Sequence, residues 1–148
     1  MEFKAFKMDG LGNDFVIVDQ RQKNIELNKD QIIKICDRNF IGCDQLIYIN
    51  NSNDADAELE FYNSDGSGSD ACGNGTRCVA YLLSKEKNTK NISVQVASKQ
   101  LNSKLLDDGQ VETIIGVPKT NWNEIPLSKK LDTKNLGIII EDINNQEV

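Results

Sequence analysis

The segment Cys78-Val79-Ala80-Tyr81-Leu82-Leu83 is apolar on every side. A surface helix keeps one polar face, so a helix formed here has to be buried over most of its surface. Around it the sequence reads almost entirely as short strands. These are "FKAFKM" (Phe3–Met8), "FVIVD" (Phe15–Asp19), "DQLIYI" (Asp44–Ile49), "AELEFY" (Ala57–Tyr62), "ISVQVA" (Ile92–Ala97), "QLNSKLL" (Gln100–Leu106) and "QVETIIGV" (Gln110–Val117). Alternation is clearest at Ile92, Val94 and Val96, and again at Val111, Thr113 and Ile115, the period of a half-buried strand. A glycine loop, Gly10 to Asp14, separates the first two runs, and the polar "NNSNDAD" separates the third from the fourth. Asp107-Asp108-Gly109 reads as the hairpin turn joining the last two.

A second helix is expected over "NKDQIIKICDRN" (Asn28–Asn39). Asn28 is its N-cap, Gln31 stands three residues on, and Ile32, Ile35 and Cys36 share one face. After Pro118 the chain is polar, and "LGIIIEDI" (Leu136–Ile143) reads as one more strand. Strands linked by short turns and outnumbering helices imply an α+β domain, with mixed, mostly antiparallel strands wrapped around a central helix. The main domain is expected over residues 1–118, followed by a connecting segment, 119–148.

The helix opens in an unusual way. The stretch "SDACGNGTRCVAYLLS" (Ser69–Ser84) places Cys72 immediately before Gly73-Asn74-Gly75. The first amides of a helix lack intrahelical partners, and the macrodipole adds partial positive charge there. A thiol in such a position has its pKa lowered. Gly73 and Gly75, with no Cβ, let backbone N–H groups approach a ligand. A carboxylate bound to those amides would set the neighbouring carbon against the sulfur, an arrangement suited to proton transfer at the α-carbon of an amino acid. By residue type alone, a free cysteine is more often a small buried apolar side chain. The glycines after Cys72, the polar residues before it and the absence of histidine favour chemistry.

With 148 residues and no histidine, acid/base work falls to Cys, Asp, Glu, Lys or Tyr. Seventeen basic against 23 acidic residues give a net charge of −6, which argues against a nucleic-acid partner. No apolar stretch is long enough to span a bilayer, and "MEFKAFKMDG" lacks the apolar core of a secretory signal. No membrane partner and a cytoplasmic location are therefore expected. There the four cysteines, Cys36, Cys43, Cys72 and Cys78, should be free thiols. Cys36 and Cys78 fall on apolar helix faces, while Cys43 is either a loop thiol or a packed one.

Two other readings of the same residues stand beside this one. Gly66-Ser67-Gly68-Ser69-Asp70-Ala71 fits the dinucleotide fingerprint G-x-G-x-x-[GA]. Asp65 and Asp70 would repel a pyrophosphate, and no acidic residue closes a second strand near Lys85–Lys90. Cys43, Cys72 and Cys78 suggest zinc, but the chain has neither a C-x-x-C pair nor a histidine.

The runs "GLGNDFVIVD" (Gly10–Asp19), "RNFIGCDQL" (Arg38–Leu46) and "FYNSDGSGSDACGNGTRC" (Phe61–Cys78) resemble, in order and approximate spacing, the three N-terminal signatures of the diaminopimelate epimerases. The resemblance covers residues 1 to about 118. The related proline racemases typically carry histidine after the Cys-Gly pair, where this chain has Asn74. The resemblance implies an isomerase without a cofactor that interconverts LL- and meso-diaminopimelate, on the route to lysine and peptidoglycan. Two cysteines on opposite faces of the α-carbon would do the work. It implies Cys72 as one of them, Gly73 and Asn74 as the turn holding the reacting carboxylate, and Asn13, Gln45 and Asn63 as polar substrate-binding positions. Taken singly, each of those amides is as readily a turn-stabilising side chain. It also makes a homodimer possible.

Members of that family are about twice this length, with two similar halves facing each other across a cleft. This sequence has no second Cys-Gly turn, no Gly-Asn-Pro-His segment and no Glu-Arg pair, and Phe40 stands where the family usually has glycine. The expectation is that the chain is one half of such an enzyme, carrying one base and half a substrate cage, and is inactive alone. A domain that binds an amino acid without catalysis is the other class kept open.

Overall fold

The computed structural model describes residues 2–137. The expected strand at Leu136–Ile143 lies almost wholly outside the described residues. The chain separates into two units, Met1–Ile115 and Gly116–Val148. All the helices and strands among the described residues belong to the first: β1 (Phe6–Gly10), β2 (Asn13–Asp19), α1 (Lys29–Cys36), β3 (Gln45–Asn50), β4 (Ala57–Asn63), β5 (Gly68–Ser69), α2 (Gly73–Lys87), β6 (Asn91–Val96), β7 (Lys99–Leu105) and β8 (Val111–Ile114). In the second unit, residues 116–137 run through turns, one held by Glu124 N–H donating to the Asn121 carbonyl at 2.9 Å.

The strands form one sheet in the order β1-β2-β3-β4-β6-β7-β8, with β5 paired to β4. β2–β3 and β4–β6 are parallel, and the remaining pairs are antiparallel. The sheet curls around α2, which touches β1 and β2 towards one end and β6, β7 and β8 towards the other. This is the expected α+β class with a central helix. Period-2 alternation divides the sheet side chains between two cores. Phe15, Ile17, Ile47, Ile49, Leu59, Phe61, Val94 and Val96 pack with Cys78, Val79, Ala80 and Leu83 of α2 on the inner face. Val16, Val18, Leu46 and Tyr48 pack on the outer face with Ile32, Ile35 and Cys36 of α1.

Several boundaries differ from expectation for local reasons. β1 begins at Phe6, and Phe3 instead packs on the outer core. The Gly10–Asp14 loop is only a two-residue turn, because Gly10 already pairs with Asn13. Its central residues both have positive φ, Leu11 at 59° and Gly12 at 82°, as the twist of a tight hairpin requires. α1 has the anticipated cap: Asn28 Oδ1 accepts from Gln31 N–H, and Gln31 Oε1 accepts from Asn28 N–H, both at 2.9 Å. It ends at Cys36 rather than Asn39, because Asp37 turns its carboxylate onto the Asn39 N–H at 2.8 Å, a local bond that competes with the helix. α2 continues to Lys87 and stops where Asn88 adopts the left-handed conformation, φ 51°. The two-residue β5 was not anticipated. The hairpin at Asp107–Gly109 was, and Gly109 N–H donates to the Leu106 carbonyl at 3.1 Å.

Candidate active site

The inner face of the sheet changes chemistry at one end. Along β2 the inward positions run Ile17, Phe15, Asn13. Along β3 they run Ile49, Ile47, Gln45, and along β4 they run Leu59, Phe61, Asn63. The same two-residue step that builds the core thus ends in an amide on three strands. Register brings them together, since Gln45 lies opposite Phe15 of β2 and Asn63 of β4. Gln45 Nε2 donates to Asn63 Oδ1 at 2.9 Å, and Asn63 Nδ2 donates to Ser67 Oγ at 3.1 Å. Gln45 Oε1 is buried and finds no donor among the described residues.

The N-terminus of α2 is seated above this end of the sheet. Gly75 makes the approach possible: a Cβ there would lie 2.7 Å from Ile47 Cδ1 and 2.9 Å from Phe61 Cε1. Cys72 is the N-cap, in extended conformation, and its Sγ accepts from Gly75 N–H at 3.4 Å. Its carbonyl receives Thr76 N–H and Thr76 Oγ1, both at 2.9 Å, which holds the first turn. The N–H groups of Gly73 and Asn74 belong to that turn, where a helix has no carbonyl to offer them. Cys72 is half-buried and, with Gly73 and Thr76, lines a cavity of about 540 Å³. Asn74 and Arg77 line a second cavity of about 850 Å³, with Gly10 and Tyr81.

Asn13 links sheet and helix. Its Oδ1 lies 3.7 Å from Cys72 Sγ and accepts from Asn74 Nδ2 at 3.4 Å. Its Nδ2 donates to Asp44 Oδ2 at 2.8 Å. Beside it the Arg38 guanidinium grips both oxygens of Asp14, at 2.6 and 2.8 Å, and reaches Asp44 Oδ1 at 2.6 Å. Lys7 also pairs with Asp14. Arg38 holds the Asp14 carboxyl well below the usual carboxylate range, with partial burial opposing.

Cys72, Asn13 and Asn74 therefore meet directly, and Gln45 and Asn63 form a second pair tied to them through the sheet. Asp44, Arg38 and Arg77 fell within the sequence signatures but were assigned no part from sequence. The signal available for Asp44 was its place directly before Gln45, at the edge where the amides begin. Gly66 and Gly68 belong to the β4–β5 hairpin, not to a strand-to-helix turn of the dinucleotide kind. Cys78 is 5% exposed in the inner core. Cys43, 1% exposed, packs on the opposite face of the sheet with its Sγ 3.4 Å from that of Cys36. The three sulfurs once considered for zinc are thus divided by the sheet.

Comparison with known proteins bears on the fold and the family. The chain is 65% identical over 145 residues to the diaminopimelate epimerase of Pelagibacter ubique, covering 98% of this chain and 53% of that protein. It is 40% identical over 135 residues to that of Phenylobacterium zucineum, covering 90% of this chain and 49% of that one. The chain spans about half the length of the curated relatives it matches. Among solved structures, a predicted epimerase from Pseudomonas aeruginosa superposes with a TM-score of 0.57 at 16% identity, over 76% of this chain and 42% of that one. A methylitaconate-delta-isomerase superposes with a TM-score of 0.55 at 16% identity, over 97% and 81%. At such identities the likeness shows the fold. The family profile described as diaminopimelate epimerase matches residues 5–120, and the chain belongs to the diaminopimelate epimerase family.

Proposed function

We propose that this chain supplies one half of a cofactor-independent epimerase site that interconverts LL- and meso-diaminopimelate. The observation that carries the reading is the seat of Cys72: an N-cap sulfur 3.4 Å from a first-turn amide, at a cavity wall, beside an amide oxygen. The substrate carboxylate binds the N–H groups of Gly73 and Asn74, and its α-carbon faces the sulfur. The Cys72 thiolate takes the α-proton and becomes a thiol. The electron pair of the broken C–H bond spreads into the carboxylate, where helix-end amides stabilise the developing charge. A thiol on the opposite face returns a proton to the carbon and becomes the thiolate. That second cysteine comes from a second, similar domain, which also excludes water.

Asn13, Gln45 and Asn63 form the polar part of the cage on this side. Gln45 Oε1, buried without a donor among the described residues, suits an ammonium N–H. On this reading the chain alone has one acid/base group and does not turn over. Its place is in lysine and peptidoglycan biosynthesis, within the cytoplasm, as part of a dimer whose mass sedimentation would read.

Incubation with meso-diaminopimelate in deuterated buffer tests the reading. The isolated chain should bind the diamino acid by calorimetry yet incorporate deuterium at the α-carbon no faster than the Cys72→Ala variant. Incorporation at enzymatic rates overturns the half-site claim. Absence of binding overturns the substrate assignment. Binding with a Cys72 that reacts no faster with iodoacetamide than a buried thiol favours a non-catalytic binding domain.

A further inference from the structure

We infer that Asp44 and Arg77 are positioning residues that fix which way round the side-chain amides of Asn13 and Asn74 sit, and so turn the carbonyl oxygen of Asn13 towards the Cys72 sulfur. The inference deepens the proposed function, and rests on it for its consequence to substrate. An asparagine amide has an accepting oxygen and a donating NH2, and its shape alone allows either arrangement. The groups at the two ends of this chain of bonds allow no such choice. A guanidinium only donates, and a carboxylate only accepts.

The direction is set from both ends. Arg77 Nη2 donates to Asn74 Oδ1, so the Asn74 NH2 faces away from Arg77 and donates to Asn13 Oδ1 at 3.4 Å. Asn13 Nδ2 then donates to Asp44 Oδ2 at 2.8 Å. Turning both amides over would set the Asn13 oxygen against a carboxylate and the Asn74 NH2 against a guanidinium, two repulsive contacts in place of two bonds. Asp44 is itself held fast. Its Oδ1 accepts from Arg38 Nη2 at 2.6 Å, its Oδ2 accepts from Asp14 N–H at 3.0 Å, and its own N–H donates to the Asp14 carbonyl at 2.9 Å. The anchors come from separate elements, Arg77 from α2 and Asp44 from the residue preceding β3. The consequence is chemical selectivity. At the mouth of α2 the site presents an acceptor, Asn13 Oδ1, beside the sulfur, which favours a ligand that brings N–H donors there, such as an ammonium.

Side-chain amide NMR on the nitrogen-15-labelled 148-residue chain reads the orientation without any ligand. In the wild type, the Asn13 Nδ2 protons should show a nuclear Overhauser effect to the Asp14 N–H, because both donate to Asp44 Oδ2. Asp44→Ala should abolish that effect and speed exchange of those protons about tenfold, the factor expected for one charge-assisted bond. Asp44→Asn keeps an accepting oxygen and should restore most of the protection, which a merely structural role does not predict. Arg77→Met, at a half-buried helix position, should speed exchange of the Asn74 NH2 about tenfold without lowering the melting temperature. If Asp44→Ala does not fold, Arg77→Met decides alone. Wild-type exchange rates in the folded variants overturn the inference. Calorimetry with meso-diaminopimelate separates it from the functional reading. If the wild type binds nothing, the substrate assignment falls while the amide orientation stands. If the variants loosen the amides yet bind as tightly as the wild type, the positioning claim falls.

Discussion

A Cβ placed on Gly75 would stand 2.7 Å from Cδ1 of Ile47. The ring of Phe61 would be 2.9 Å away and that of Phe15 3.4 Å away, and none of the three has room to retreat, all being essentially buried. Gly75→Ala sets two effects against each other. Alanine favours the helix by up to about 1 kcal/mol, and overpacking a full core costs about 1–3 kcal/mol. With neighbours this tight the second wins. Chemical denaturation should show a net loss of about 1–2 kcal/mol. The variant should also bind meso-diaminopimelate more weakly, because lifting the first turn moves Cys72.

The thiols should react in a fixed order. Burial pushes Cys36 up to about 12, with its bond to Cys43 adding to the effect, and burial pushes Cys78 up to about 11. Cys43 is 1% exposed. Cys72 alone of the four is partly open, at the wall of a cavity, whereas Cys78 touches the neighbouring cavity but is buried. Iodoacetamide at pH 8 should therefore add one label per native chain, at Cys72 by peptide mass mapping. Four labels should appear once the chain is unfolded. Early labelling at Cys36 or Cys43 would contradict the packing of the outer core.

How far all this was legible differs element by element. α2 could be read because a run apolar on every side admits few folds, and the cap of α1 because Asn28 and Gln31 form a purely local pair. The end of α1 could not, since it depends on Asp37 preferring the Asn39 N–H to another helical turn. The glycine loop after β1 was legible, but its tightening to a two-residue turn was hidden because leucine at positive φ is not a turn signal. β5 is too short to carry a pattern. In the site, Cys72 stood out from its neighbours, whereas Asn13, Gln45 and Asn63 were read only through the family resemblance; that they continue the core alternation with altered chemistry emerges from the fold. The role of Asp44 depends on its bond to Asn13 from a different element, and that of Arg77, whose own bond to Asn74 lies within α2, depends on the Asn74–Asn13 bond between elements, which only folding reveals.

Asn28→Ala should cost about 1 kcal/mol, the usual worth of an N-cap oxygen, as a shift of the denaturation midpoint. Gln31→Ala should cost less, because its side chain satisfies only the cap N–H. The two losses should not add, since each residue holds the other in the reciprocal box, and a double-mutant cycle measures that coupling.

The Arg38–Asp14 pair makes a prediction about acid. Asp14 has a folded pKa held below its ordinary value, first by Arg38 and then by Lys7 against the opposing effect of burial. A depressed carboxylate contributes stability that is fully present above its unfolded value, about 4, and is lost as pH falls towards the folded one. Asp56 behaves alike: burial raises it, but Lys87 and the Ser93 N–H together more than offset that. The Arg38 side chain is 59% exposed, so solvent screening limits the gain to the small scale of surface pairs despite the two-pronged geometry. Urea denaturation should therefore find Arg38→Met slightly less stable than the wild type at pH 6–7. Below pH 4 the gap should narrow, because without Arg38 the folded variant protonates Asp14 at a higher pH than the wild type does. A gap that stays constant down to pH 2 would mean that Arg38 acts through the packing of its stem on the Gly42 turn, where its Cδ lies 3.0 Å from the position a Cβ would take, and not through its charge.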